Sequence, residues 1–351
     1  MEAIELMMKD VPVLRVEGFE IEILNYDLLP VGLRYPDVDF DDIFHGWTDR
    51  RVMHVGRTNG KAITAAYGLS QTSLYLIGKA CHFTTLNDCY WLRNSDENLR
   101  WDDVSLFRNT LDENIISTAL FGVSKRLQLT QKVGYAELGS QGYSAKAWVR
   151  ENNGIYMYKV ARAELPASQI LDQLGFSHVE YFPCTNAEVE THLDPGMQTS
   201  LGDEIVVKSK NIATEDIAIF SFEDFAVYAE RNGFNPFDYY AEYYPRQYSE
   251  MIVADFILGN SDRHEGNYGF FMDNNTGEIL SPYPLMDHDR IFDSDFYCQT
   301  VDKKMKQKQA TKKYAIPIPD ISRPEYITDE EWKLVSKNLT TYRHFFEKDY
   351  N

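Results

Sequence analysis

The stretch MIVADFILGNSDRHEGN, residues 251–267, runs an apolar segment straight into Asp262, Arg263, His264 and Glu265, flanked by Asn260 and Asn267. An apolar run of this kind belongs inside the protein, and buried polar groups must find water or partners. The chain is therefore built around a buried segment that delivers a cluster of acids, bases and amides to one place. Twenty residues beyond Asn267, SPYPLMD brings a further carboxylate, Asp287, at the end of an expected hairpin with its turn at DNNTG. A helix-end loop and a hairpin end can meet at one edge of a cleft. Carboxylate and amide oxygens together suit Mg²⁺, which takes hard oxygen donors and keeps several waters. Phosphoryl transfer asks for this kind of equipment: an orienting base, a metal against the phosphates, and a cation to hold them.

The cation is expected from Lys159 in IYMYKVA, which shares its strand side with Ile155 and Met157 while Tyr156, Tyr158 and Val160 take the other. With both sides apolar, Lys159 points into an interior or a cleft and needs an anion, either phosphate or a carboxylate such as Glu164. The loop GSQGYSAK just before it can line phosphates with backbone N–H groups.

The surrounding segments read as α+β. VLRVEGFEIEILNY alternates as a strand pair around Gly18, and Trp91 and Trp101 are packing anchors. GYAELGSQGYSAKAWVRENNGIYMYKVA reads as strand, glycine loop, strand, a tight turn at Asn153-Gly154, strand. A helix is expected from Pro166, with Ala167, Ile170, Leu171 and Leu174 on one face and Gly175 as its stop; Glu164 then stands just outside it. DEIVVKS is another strand, and from Ile217 onward helices dominate until the late hairpin. The expected organisation is an N-terminal subdomain over 1–125, a β-rich lobe over 126–210 and a helical lobe over 211–351, with a cleft between the lobes.

Composition narrows the function. A net charge of −19 argues against general nucleic-acid binding, which needs clustered Lys and Arg, and against anionic membranes. Four cysteines without C-x-x-C spacing point to a reducing, cytoplasmic setting, and the acidic start MEAIELMMKD does not resemble a signal peptide. No run of apolar residues is long enough to span a bilayer. H-E-x-x-H zinc chemistry fails because position 268 is tyrosine.

GNSDRHEGNYGF followed by PLMDHD resembles the catalytic loop and metal segment of HipA-like serine/threonine kinases, which share an atypical kinase fold with phosphatidylinositol kinases. SQGYSAKAW with YMYKVA resembles their phosphate loop and ATP lysine, AELPASQILDQLG their helix with an ion-pairing glutamate, and LNDCYWLRN…LRWDDVSLFRN an N-terminal segment of such proteins. The resemblance implies a two-lobed protein-kinase-like fold with a β-rich N-lobe, a helical C-lobe and an N-terminal extension, acting with ATP and Mg²⁺. It implies Asp262 as catalytic base, with Asn267 and His264 in the catalytic loop. It implies Asn267 and Asp287 as metal ligands; Asp289, two residues on, is either a second ligand or a surface acid. Lys159, paired with Glu164, would hold the α- and β-phosphates beside Ser140, Gly142, Ser144 and Lys146. Ser140 and Ser144 would be sites of autophosphorylation, as in the HipA loop. Tyr143-Ser144-Ala145 between Gly142 and Lys146 departs from the family's loop.

The implied partners are a protein substrate with a Ser or Thr acceptor and an antitoxin or regulatory chain; no helix-turn-helix is evident, so DNA contact would need such a chain. Two rivals stand beside this reading: a small-molecule or lipid phosphotransferase on the same fold, and a silent module that binds ATP or a partner. The basic run DKKMKQKQATKK, residues 302–313, is either a solvated face or a dock for an acidic or RNA-bound substrate.

Overall fold

The structure is a computed structural model that describes residues 3–18, 20–34, 40–70, 73–130, 133–193, 205–292 and 308–350. Lys303, Lys304 and Lys306 of the basic run lie outside these residues.

The N-terminal part builds an antiparallel sheet from β1 (Ile4–Met8), β2 (Val11–Glu17), β3 (Glu20–Ile23) and β4 (Tyr90–Asn94), in the order β3-β2-β1-β4. Gly18 turns between β2 and β3 at φ 64°, where a glycine carries no steric penalty. Helices α1 (Phe40–Asp49), α2 (Gly60–Ala66), α3 (Leu74–Ala80), α4 (Trp101–Val104) and α5 (Ile116–Phe121) share one apolar core with this sheet. Trp91 and Trp101 are both buried, and each indole N–H finds an oxygen at 2.7 Å, Lys9 C=O and Glu215 respectively.

No strand forms over 134–139, against expectation. Glu137 is drawn instead into a buried pair with Arg57 (2.5 Å) and accepts the Trp148 N–H (2.6 Å), and the backbone at Gly139 presses on Thr84. A Cβ at Gly139 would lie 2.1 Å from the Thr84 carbonyl oxygen, so only glycine fits there.

The second sheet comprises β5 (Lys146–Glu151), β6 (Gly154–Val160), β7 (Phe182–Pro183) and β8 (Val206–Lys210), in the order β5-β6-β8-β7. The β5–β6 turn occupies Asn152-Asn153, one residue earlier than expected, with Gly154 already paired to Glu151. That single residue sets the register, and it places Lys146 directly opposite Lys159.

Helix α6 (Glu164–Leu174) starts two residues before the expected position, so Glu164 lies in its first turn rather than outside it. Pro166 is no obstacle, because first-turn N–H groups have no helical acceptor to lose. Gly175 ends the helix at φ 70°. Ala167, Ile170, Leu171 and Leu174 form the expected buried face, and they pack into the core of the C-terminal lobe. After α7 (Asn186–Glu190), a third sheet joins β9 (Ile217–Ser221), β10 (Gly269–Asp273) and β11 (Ile279–Pro282). The segment at Ile217 is thus a strand where a helix was expected. It pairs with β10 in antiparallel register, and Ala218 is buried from its inner face. Helices α8 (Phe222–Arg231), α9 (Pro236–Tyr243), α10 (Pro245–Leu258) and α11 (Asp329–Tyr350) complete the lobe. No helix among the described residues is long and apolar enough to cross a membrane.

Candidate functional site

Helix α10 ends at Gly259, in the left-handed region at φ 63°, and the chain turns at once into the polar cluster. Asp255, the one charge in the apolar run, answers why so many polar groups follow. Its carboxylate accepts from Arg263 Nε (3.1 Å) and Nη2 (3.0 Å) and from Asn260 Nδ2 (2.9 Å). Arg263 also donates to the carbonyls of Asn267 and Met286, 3.0 Å each, and to His288 Nε2 at 3.1 Å. One guanidinium therefore ties the loop 260–267 to the segment 286–288. Since Arg263 can only donate, Nε2 of His288 accepts and its proton sits on Nδ1. Burial, then the Arg263 charge, holds this imidazole well below its usual pKa and so neutral.

Asp287 adopts φ 61°, a conformation uncommon outside glycine. Its Oδ1 accepts from Lys159 Nζ at 2.6 Å. The same ammonium meets Glu164 Oε1 at 2.8 Å and Asp289 Oδ2 at 3.1 Å. The second Glu164 oxygen accepts the His288 N–H at 2.9 Å, so the buried glutamate joins the lysine strand to the 286–289 segment. Burial opposes charge on Lys159, but Glu164 and Asp287 outweigh it and hold the lysine protonated. Burial would likewise raise Asp287, yet Lys159 and Lys146 hold its carboxyl well below the usual carboxylate range. Glu164, wholly buried, is pushed up by burial against the pull of Lys159. Lys146 is pushed down to about 8, by burial first and then by Arg57 and Lys159.

A cleft of about 580 Å³ gathers these groups. Ser140, Gly142, Ser144, Lys146, Lys159, Asp262, His264, Asn267, Asp287 and Asp289 all line it, and Glu164 stands directly behind Lys159. Gly142 takes φ 90°, and a Cβ there would lie 2.4 Å from Lys146 Nζ. Ser144 Oγ donates to Asp289. Asn267 Nδ2 donates to the Asp262 carbonyl (3.1 Å), which turns its amide oxygen away from that carbonyl. Asp262 is partly open to the cleft, with Arg290 Nε at 3.7 Å. His264 is exposed, and its Nδ1 accepts the Gly266 N–H at 3.1 Å, so that nitrogen is engaged in shaping the loop.

Among the described residues no three His, Cys, Asp or Glu side chains gather as a ready-made metal site. Two carboxylates and one amide oxygen do fit a cation that keeps several waters and takes phosphate oxygens, as Mg²⁺ does. Sequence reasoning named Asn260 and Arg263 within the cluster but assigned no role to them, nor to Asp255 or His288. The signal was there for one pair: a lone acid inside MIVADFILG demands a cation, and Arg263 is the first base to follow.

No protein-family model and no curated protein matches this chain. Among solved structures, HipA of Shewanella oneidensis MR-1, determined as a toxin–antitoxin system with HipB and operator DNA, superposes with a TM-score of 0.54 at 10% identity. The match covers 98% of this chain and 97% of that one. The Helicobacter pylori proinflammatory kinase CtkA gives a TM-score of 0.38 at 17% identity, over 57% of this chain and 90% of that one. The HipA likeness runs through nearly the whole molecule, so this chain has the HipA-like kinase fold, mixed α+β with antiparallel sheets.

Proposed function

We propose that the chain is a HipA-like protein serine/threonine kinase that uses ATP and Mg²⁺. The observation that carries the reading is the shared ammonium: Lys159, fixed by Glu164 at 2.8 Å, reaches Asp287 at 2.6 Å in the cleft that Asp262 and Asn267 also line. In this reading Lys159 takes the α- and β-phosphates, and Glu164 keeps it aimed when they bind. Lys146, Ser140, Ser144 and the backbone at Gly142 line the phosphate side. Asn267, Asp287 and Asp289 supply the oxygens for Mg²⁺, which when bound neutralises phosphate charge. Asp262 accepts the proton of the attacking hydroxyl, and His264 shapes the loop that presents it. The acceptor is a protein Ser or Thr, with Ser140 and Ser144 as sites of autophosphorylation. A regulatory chain of antitoxin type belongs to the same reading, since the HipA of similar fold is solved with HipB.

The test is incubation with γ-labelled ATP, Mg²⁺ and host lysate beside Asp262→Asn and Asp287→Asn. Label is expected on protein, and loss of the base should cost about 10²–10⁴-fold in rate. Transfer that survives both substitutions would remove these roles. Binding of ATP without transfer to any acceptor would make the chain a silent module, and label confined to small molecules or lipid would make it a different phosphotransferase.

A further inference from the structure

The departure at Tyr143 acquires a partner in the fold. The phosphate loop, residues 138–146, is bonded mainly to the N-terminal extension rather than to its own lobe. Met53 N–H donates to the Leu138 carbonyl and Thr58 N–H to the Tyr143 carbonyl, each at 2.7 Å. Gln141 Nε2 donates to the Val52 carbonyl. Arg57, its side chain fully buried, donates to the Lys146 carbonyl and pairs with Glu137, and so holds both ends of the loop at once. At the crest, the Tyr143 ring packs on His54 with centroids 4.3 Å apart, although Tyr143 remains 57% exposed. His54 is itself set by the Gly56 N–H, which donates to its Nδ1 at 3.0 Å. Gly56 lies so close beneath the tyrosine that a Cβ would stand 2.9 Å from its Cε1.

We infer that residues 49–58 of the extension position the phosphate loop, with Tyr143 clasped against His54 and Gly56, so that nucleotide phosphates meet a loop preorganised from outside the kinase lobes. The inference rests on the kinase reading above. Preorganised N–H groups bind phosphate without the entropic cost of ordering a free loop. A loop released from the extension keeps its sequence and loses that advantage. Gly56, Tyr143 and Gln141 are positioning residues in this account, acting through the loop and not on the reaction itself.

The test compares binding of the ATP analogue with an imido β,γ-bridge, in Mg²⁺, with binding of adenosine, which carries no phosphate, to the 351-residue chain. Tyr143→Ala and Gln141→Ala should each weaken the analogue by about tenfold, within the usual range for coupled contacts, and leave adenosine unchanged. Tyr143→Phe should bind like the unsubstituted chain, because the ring and not the hydroxyl makes the clasp. Gly56→Ala is the orthogonal variant. Its backbone lies outside the left-handed region, so alanine is allowed there, yet the methyl must displace the ring. It should mimic Tyr143→Ala and add nothing to it in the double variant. Amide hydrogen exchange over 138–146, read without nucleotide, should quicken in Gly56→Ala and Tyr143→Ala. Equal affinity for the analogue across the series, or a parallel loss for adenosine, overturns the inference while leaving the kinase reading in place. An unsubstituted chain that binds no analogue at all takes down both.

Discussion

Arg263 makes more of the site than any residue named for chemistry, and its environment says what its loss would do. Its side chain and that of Asp255 are each 9% exposed, and the pair is closed by Asn260 and two carbonyls. Arg263→Ala would leave the Asp255 carboxylate buried without its counter-charge, a defect that costs about 3–5 kcal/mol. Urea denaturation should show the unfolding free energy fall by that amount, and Arg263→Lys should recover only part, since an ammonium cannot replace the planar guanidinium that bonds Asp255, two carbonyls and His288. Lys146 offers a prediction in pH. With its pKa pushed down to about 8, it is charged below that value and neutral above it. Phosphate prefers the cation, so nucleotide affinity should be full at pH 7 and fall as pH rises through 8. The drop expected by pH 9.5 is about fivefold, the ~1 kcal/mol separating charge-assisted from neutral hydrogen bonds. Titration calorimetry would read this, and Lys146→Met should flatten the profile. The same shift means that the unfolded chain binds more protons between pH 8 and the usual lysine range, so this group's contribution to stability rises with pH across that window.

At the level of elements, most of what the local pattern implied is present. The face Ala167, Ile170, Leu171 and Leu174 is buried as its spacing required, and Gly175 stops the helix. At Gly175 nothing lies within 4 Å of a would-be Cβ. Gly175→Ala therefore tests backbone strain alone, and thermal or chemical denaturation should register a loss of about 1–2 kcal/mol. Boundaries were less legible, each for a physical reason. Helix α6 begins at Glu164 because its first turn has no N–H bond for Pro166 to break. The β5–β6 turn moves by one residue because Gly154 takes its positive φ, 150°, as the first residue of a strand, where a Cβ would meet Lys210 at 2.8 Å. The segment 134–139 looks like a strand, but its glutamate is committed to Arg57.

Two large apolar cores organise the described residues. One core runs without interruption from Leu6, Leu14 and Trp91 of the extension to Leu138, Val149, Tyr158 and Val206 of the β-rich lobe. The other joins α6 to the C-terminal helices. Leu138, fully buried at the start of the loop 138–146, belongs to the core shared by the extension and the β-rich lobe. Leu138→Ala should cost about 2–5 kcal/mol. Because one core is shared, the extension and the β-rich lobe should unfold in a single transition rather than two, read by tryptophan fluorescence alongside far-ultraviolet circular dichroism.

The sequence by itself determined the periodic and short-range features: which faces are apolar, where helices stop, and the spacing Asp262-x₄-Asn267 that presents two polar groups from one loop. Those depend on interactions within a few residues, which local chemistry decides. The pairing of Lys159 with Glu164, five positions apart, is already expected from the sequence; only the tertiary structure decided that Asp287 and Asp289, up to 130 positions away, share the same ammonium. It alone decided that Arg57 of the extension holds Glu137 across a separation of 80 residues. Long-range pairs of charges carry no mark in the chain of whom they will meet. They are chosen by packing, which brings a few of the chain's many acids and bases into a buried place where each must be answered.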